Sequence, residues 1–135
     1  MPLFSIPGIE RYFAEKNYRL DIPRLKLDEQ RKTERQAGRT NRDTWNRIGS
    51  FPVNEIVYSL PFVGDPNLFL YEPPGCTCCS IEEGLISHEE LLIIYLISRD
   101  DSIARAEIEK RFKHHLFIIN DYLELIRSEA ERFNC

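Results

Sequence analysis

The chain lacks any apolar run long enough to cross a bilayer. Its longest, residues 91–97, falls far short of the about 20 residues a membrane-spanning helix needs. Residues 1–13 contain no basic segment leading into an apolar stretch, so no secretory leader is expected and the expected compartment is the cytoplasm. There is no Gly-rich phosphate loop, no Walker-type Gly-Lys-Ser/Thr, no His-Glu-x-x-His and no Gly-x-Ser-x-Gly. The familiar signatures of nucleotide binding, zinc proteolysis and serine hydrolysis are thereby missing, and no enzymatic activity is expected. A Cys/His nucleophile pair stays open, since such pairs need not adjoin in sequence. Cysteines are few and clustered: 76, 78 and 79 fall together and Cys135 stands apart. A disulfide framework would spread its half-cystines along a secreted chain, so reduced thiols are expected. No internal repeat or low-complexity tract is found.

What is present fits one globular domain. The 135 residues are 42% hydrophobic and 30% charged, enough to bury a core. The net charge of -4 is unevenly distributed. Residues 11–47 carry 11 Lys and Arg against 6 Asp and Glu, whereas residues 48–135 carry 7 against 15. Such asymmetry means either two surfaces with different partners or one half neutralising the other.

The strongest periodicity lies in residues 87–133. Phe112, Leu116, Ile119, Leu123, Ile126, Ala130 and Phe133 recur at gaps of four and three, which places them on one face of a long helix. Ser87 and Glu90 match a capping box, and the apolar run that follows reads as a helix buried on every side. A second helix is expected after the polar break at 99–102. Upstream, residues 9–17 read as a short helix with Ile9, Tyr12 and Phe13 on one side, and residues 18–22 as a short strand. Residues 53–63 and 68–71, joined by Gly64-Asp65-Pro66-Asn67, read as a β-hairpin. Its apolar face is expected to cover residues 91–97 and the long helix. The expected fold is therefore α+β: a single small domain with a C-terminal three-helix, winged-helix-like bundle and a β-hairpin, preceded by an Arg-rich N-terminal segment. Residues 1–50 form the arm, short helix and Arg-rich segment, and residues 51–135 the hairpin and bundle.

Three helices in this order resemble a helix-turn-helix or winged-helix domain over residues 87–133. That resemblance implies DNA binding, but Asn120, Asp121, Glu124, Glu129 and Glu131 on the long helix oppose only Arg127 and Arg132. Such a face repels phosphate, so the helices are expected to serve as scaffold or as a dimer seam.

The candidate binding residues are Arg31, Lys32, Arg35, Arg39, Arg42, Trp45 and Arg47. Arginines spaced four, four and three apart would share one helix face, with a helix expected over about 29–37. In composition they resemble an arginine-rich RNA-binding segment, with Trp45 available for stacking. The alternative is that they pair with Glu34, Asp43 and the acidic C-terminal half. The candidate metal ligands are Cys76, Cys78, Cys79 and His88, with His114, His115 or Cys135 as other fourth ligands for zinc. A strained redox disulfide or simple inert thiols are the other readings of the cluster. His114 and His115 point about 100° apart on a helix, so both cannot easily face one ion.

The leading expectation is a non-enzymatic interaction or assembly protein whose basic N-terminal surface meets an acidic partner, or which forms a homo-oligomer, with no cofactor. A nucleic-acid-binding regulator using residues 31–47 is the first alternative. A zinc- or thiol-dependent protein using Cys76, Cys78 and Cys79 is the second.

Overall fold

Alternation, not helical periodicity, governs the run at residues 91–97. In the computed structural model, which describes residues 3–15, 21–42, 48–72, 80–98 and 102–133, Leu91, Ile93, Tyr95 and Ile97 are buried while Leu96 between them is 63% exposed. The run belongs to a strand, Glu90–Ser98. A single helix, Ile9–Glu15 (α1), precedes the sheet. Five strands follow: β1 (Arg24–Leu25), β2 (Arg31–Arg42), β3 (Ile48–Val63), β4 (Gly84–Ser87) and β5 (Glu90–Ser98). A 32-residue helix, Ser102–Phe133 (α2), closes the chain.

The pairings between the five strands are all antiparallel. β3 is central: β1 and β2 lie along one side of it, β5 along the other, and β4 forms the far edge. The register sets Tyr58 opposite both Lys32 and Ile93, and Val57 opposite both Thr33 and Ile94. Successive side chains therefore sort onto two faces. Ile56, Tyr58, Leu60 and Phe62 from β3 join the buried residues of β5 on the inner face. There they meet Ala104, Ile108, Phe112, Ile119, Tyr122, Leu123 and Ile126 of α2. Phe112 stacks on Tyr58 with centroids 3.7 Å apart and planes 8° from parallel.

The open end of this two-layer core is sealed by the N-terminal arm. Leu3 exchanges two backbone hydrogen bonds with Ile81, at 3.1 and 3.0 Å, and its side chain is fully buried. Phe4 is buried 4.2 Å from the Tyr122 ring. The Tyr122 hydroxyl donates to the Leu68 carbonyl at 2.6 Å, which ties α2 to the turn after β3. Leu3 and Phe4 of the arm thus lie on this chain's own core.

Several expectations are corrected. There is no C-terminal three-helix bundle and no winged helix; the chain is α+β, but mostly antiparallel sheet, with two helices among the described residues. The first expected helix is β5, because a strand apolar on both faces carries no alternation and reads like a buried helix. The Ser87–Glu90 spacing is not a helix cap; those residues face each other across a two-residue turn between β4 and β5. His88 in that turn has φ +57°, a conformation L side chains rarely adopt. The other two expected helices are one, α2: residues 102–133 contain neither Pro nor Gly, so nothing stops propagation across Lys113–His114–His115. The Arg-rich segment is strand β2 rather than helix. Gly38, at φ +94°, sits where the β2–β3 register shifts, a bulge position suited to a residue without Cβ.

Residues 53–63 form a strand as expected, but its hairpin partner is β2. The expected return strand is instead a 3-10 turn, Pro66–Leu70. Pro66 occupies its first turn, and the Asp65 carboxylate accepts from the Asn67 amide at 3.0 Å, so capping overrides strand formation. β3 does not cover residues 91–97; it pairs with them edge to edge within the sheet. Of the expected strand at 18–22, residues 18–20 lie outside the described residues, and Asp21 and Ile22 are not in a strand.

Candidate interaction surface

β2 and β3 run farther than the rest of the sheet. β5 leaves β3 at the Val53–Ser98 pair, while β2 continues beside β3 to the Arg42–Ile48 pair. Residues 39–42 and 48–52 therefore form a two-stranded ribbon that extends beyond the last row shared by β2, β3 and β5. Five strand residues at about 3.4 Å each carry it about 17 Å outward. Ile48 near its end is 82% exposed, as expected for a segment with no third strand and no helix over it among the described residues.

The body of β2 is electrically closed. On the outer face, Arg31 Nη2 lies 3.2 Å from Glu90 Oε2, which also accepts from Ser59 Oγ at 2.6 Å. Arg35 Nε meets Glu55 Oε2 at 2.6 Å, directly across the β2–β3 ladder. On the inner face, Lys32 Nζ lies 3.2 Å from Glu109 Oε1 and 5.7 Å from the Tyr58 ring centroid. Glu34, the one carboxylate of β2, accepts from Arg105 Nε at 3.1 Å and Nη2 at 2.6 Å, and from Asn54 Nδ2 at 2.7 Å. The Arg105 hydrogen bonds, supported by Asn54, push its carboxyl down to about 2. Three of the seven sequence-chosen binding residues, Arg31, Lys32 and Arg35, are thus engaged with acids of the same chain.

Arg39 differs. It is exposed on the ribbon, and its Nε and Nη2 donate to Ser50 Oγ at 2.8 Å and to the Ser50 carbonyl at 2.7 Å. Both acceptors are neutral, so the guanidinium is oriented without being neutralised. Arg42 ends β2 on the same ribbon; Trp45 and Arg47 lie outside the described residues, within the 43–47 connection. By sequence, residues 37–52 hold three Arg and one Asp, a local balance of +2 in a chain of -4. The structure therefore shows Arg31, Lys32 and Arg35 compensated at the base of the basic stretch and Arg39 held on neutral oxygens beyond it.

A second cluster went unrecognised in the sequence. The Tyr95 hydroxyl and His115 Nδ1 are 2.6 Å apart, with the two rings 2° from parallel. His115 Nε2 lies 3.9 Å from Glu83 Oε2, and Arg111 both pairs with Glu83 and sits 5.5 Å from the Tyr95 ring centroid. Burial lowers the His115 pKa, with the Arg111 and His114 charges acting in the same direction and Glu83 against them. The imidazole is therefore neutral at pH 7 and shares a hydrogen bond between Nδ1 and the Tyr95 hydroxyl, and the group fastens α2 to β5. Only the His-His pair was visible beforehand; Tyr95 and Glu83 join it through the fold.

Cys76, Cys78, Cys79 and Cys135 lie outside the described residues. His88 lines a shallow cleft of about 340 Å³ with Phe62, Val63, Gly64, Pro66 and Glu89. Among the described residues no three His, Cys, Asp or Glu side chains gather to hold a metal ion, and no helix is long and apolar enough to cross a membrane. The class defined is a two-layer α+β protein with an antiparallel sheet, one covering helix and a projecting basic ribbon. No family model, curated protein or solved structure matches the chain.

Proposed function

We propose that this protein is a non-enzymatic interaction or assembly module that presents the end of its β2–β3 ribbon to an acidic protein partner. The observation that carries the reading is the division of charge within β2. Arg31, Lys32 and Arg35 are compensated in place, whereas Arg39 is held on neutral oxygens of a ribbon that leaves the body. Arg39, Arg42 and Arg47, with Trp45, are the contact residues under this reading. Arg31, Lys32 and Arg35 become supports that hold the ribbon's base to the sheet and to α2.

The single tryptophan makes the test direct. Trp45 emission is followed while poly-glutamate is added, for the wild type and for a variant with Arg39, Arg42 and Arg47 changed to Glu. The wild type should respond saturably, and the triple variant should bind at least about 100-fold more weakly. A paired change at the base, Arg35→Gln with Glu55→Gln, should leave affinity within about threefold. Binding that survives the tip reversal, or that is lost only through the base, would sink the proposal.

A second reading, nucleic-acid binding, is favoured by one observation: a two-stranded ribbon is an element the DNA major groove admits. It predicts tighter binding to duplex than to poly-glutamate, and a slope of log K against log salt of about -3 for three phosphate contacts. No retention on duplex DNA or RNA at low salt removes it.

A further inference from the structure

β5 has the composition of a strand buried on both faces, yet the described residues of this chain pack on only one of them. Its inward residues Leu91, Ile93, Tyr95 and Ile97 are packed under α2. Its outward positions are Leu92, Ile94 and Leu96, where an antiparallel sheet with one wet face places polar residues. The register sets Leu85 of β4 and Val57 of β3 beside them, so five apolar side chains form one stripe across three strands. Leu96 is 63% exposed and Leu85 is 38% exposed, with Val57, Leu92 and Ile94 half-buried between. Four residues of the α2 stripe, Phe112, Ile119, Leu123 and Ile126, are buried against this chain's own sheet and offer no seam for a partner.

We infer that a second copy of this chain covers the outer face of the sheet, giving an isologous dimer in which two sheets pack face to face between two outer α2 helices. Two observations select a second copy. The first is the rim. One end of the stripe carries the Arg31–Glu90 pair and the other the Arg35–Glu55 pair, so the rim holds two cations and two anions. A rim without net charge gives neither an acidic nor a basic partner an electrostatic advantage. It is self-complementary under two-fold symmetry, where each Arg has a Glu of the other copy within its reach. The second is area. β5 and its β3 partners run nine residues, β2 six before its register shift and β4 four, so at about 3.4 Å per residue and about 4.8 Å per strand they outline a face of about 450 Å². Side-chain relief raises this toward the about 600 Å² per partner at the lower end of stable interfaces. Aligned packing at about -30° would interdigitate the two rows of Leu92, Ile94 and Leu96. The inference does not depend on the ribbon reading, since no ribbon residue belongs to this face.

Sedimentation velocity and native mass spectrometry of the full chain test it, across an about hundredfold concentration range. The wild type should reach a dimer within that range. Leu96→Glu should weaken dimerisation at least about 100-fold by burying an unpaired carboxylate. Because Leu96 is mostly exposed in one copy, the variant should keep the wild-type circular dichroism spectrum and bind poly-glutamate as before. Phe117→Glu, on the exposed side of α2, should dimerise like the wild type. A wild type that stays monomeric throughout overturns the inference, including when the same face captures a different protein. So does a dimer unchanged by Leu96→Glu, or one broken by Phe117→Glu instead.

Discussion

Neighbouring residues of β5 should differ sharply in what their truncation costs. Ile93 is fully buried, opposite Tyr58 on one side and Gly84 on the other, while Ile94 faces outward and is half-buried. Ile→Ala removes three carbons, about 2.4 kcal/mol of transfer free energy at about 0.8 kcal/mol each, when burial is complete. At Ile93 a cavity term adds to this, because α2 above and the strands beside it cannot collapse fully, giving about 3–4 kcal/mol. At Ile94 about half of the side chain is already in water, so the loss should be about 1 kcal/mol. Urea denaturation followed by circular dichroism, at protein concentrations below the dimer transition, reads both values. With a slope of about 2 kcal/mol/M, the midpoint should fall by about 1.5–2 M for Ile93→Ala and by about 0.5 M for Ile94→Ala. Repeating the titration at high concentration should enlarge only the Ile94 effect, since that side chain then lies under the second copy. Equal losses at the two positions in dilute solution would refute the strand register and restore a segment buried all round.

Other consequences are read by similar means. Gly64 has φ +114°, and a Cβ there would stand 2.7 Å from Pro23 Cα and 2.9 Å from Pro23 N. Both obstacles are backbone, so Gly64→Ala should cost about 2–4 kcal/mol in urea denaturation. His88→Gly should relieve the positive φ in the β4–β5 turn and raise stability by about 0.5–1 kcal/mol, a melting shift of about 2–4 °C. Glu34 has a folded pKa of about 2 against an ordinary 4.5. Its contribution is full above about 4.5 and disappears as pH falls towards 2. With its side chain 31% exposed and Arg105 30% exposed, the pair is screened and worth about 1 kcal/mol. Glu34→Gln should therefore be destabilised at pH 7 and match the wild type near pH 2. His115, also depressed, acts with the same sign at higher pH: its contribution is present above about 6.5 and lost as pH falls below that.

The parts of the fold legible in the sequence are those fixed by local signals. α1 was legible through Ile9, Tyr12 and Phe13, and the buried face of α2 through Phe112, Ile119, Leu123 and Ile126. The strand at 53–63 was legible through its Val, Ile, Tyr and Phe content. β5 was misread because a short run apolar on both faces has no period to distinguish strand from helix. β2 was misread because arginines at gaps of four, four and three imitate a helix face. What fixes them as a strand lies elsewhere in the chain: Glu55 at a separation of 20 residues, Glu90 at 59 and Glu109 at 77. The same distance effect hid the site's division. Arg31 through Arg47 were legible as one basic set, but only the register shows that Arg31, Lys32 and Arg35 are compensated and Arg39 is not. Tyr95 and Glu83 carried no signal at all, since each joins His115 only through the docking of α2 on β5.

Under the proposed ribbon reading an acidic chain is at first sight a poor host for an anionic partner, and screening resolves the conflict. Removing the +2 of residues 37–52 from the net -4 leaves the body at -6, which would repel any acidic surface brought against it. At physiological ionic strength the Debye length is about 8 Å, whereas the ribbon carries its end about 17 Å beyond the last three-stranded row. A partner held at the ribbon end is therefore about two screening lengths from the body. It feels the tip arginines at contact distance and the body at little more than a tenth of its unscreened strength. Compensation of Arg31, Lys32 and Arg35 at the base serves the same end, because it ties the ribbon to the sheet and α2 while leaving Arg39 charged. At an ionic strength of about 0.01 M the screening length grows to about 30 Å and the body's repulsion reaches the tip. Lowering salt should then strengthen acidic-partner binding less than three phosphate-like contacts alone require. That shortfall distinguishes a tip on an acidic body from an evenly basic surface.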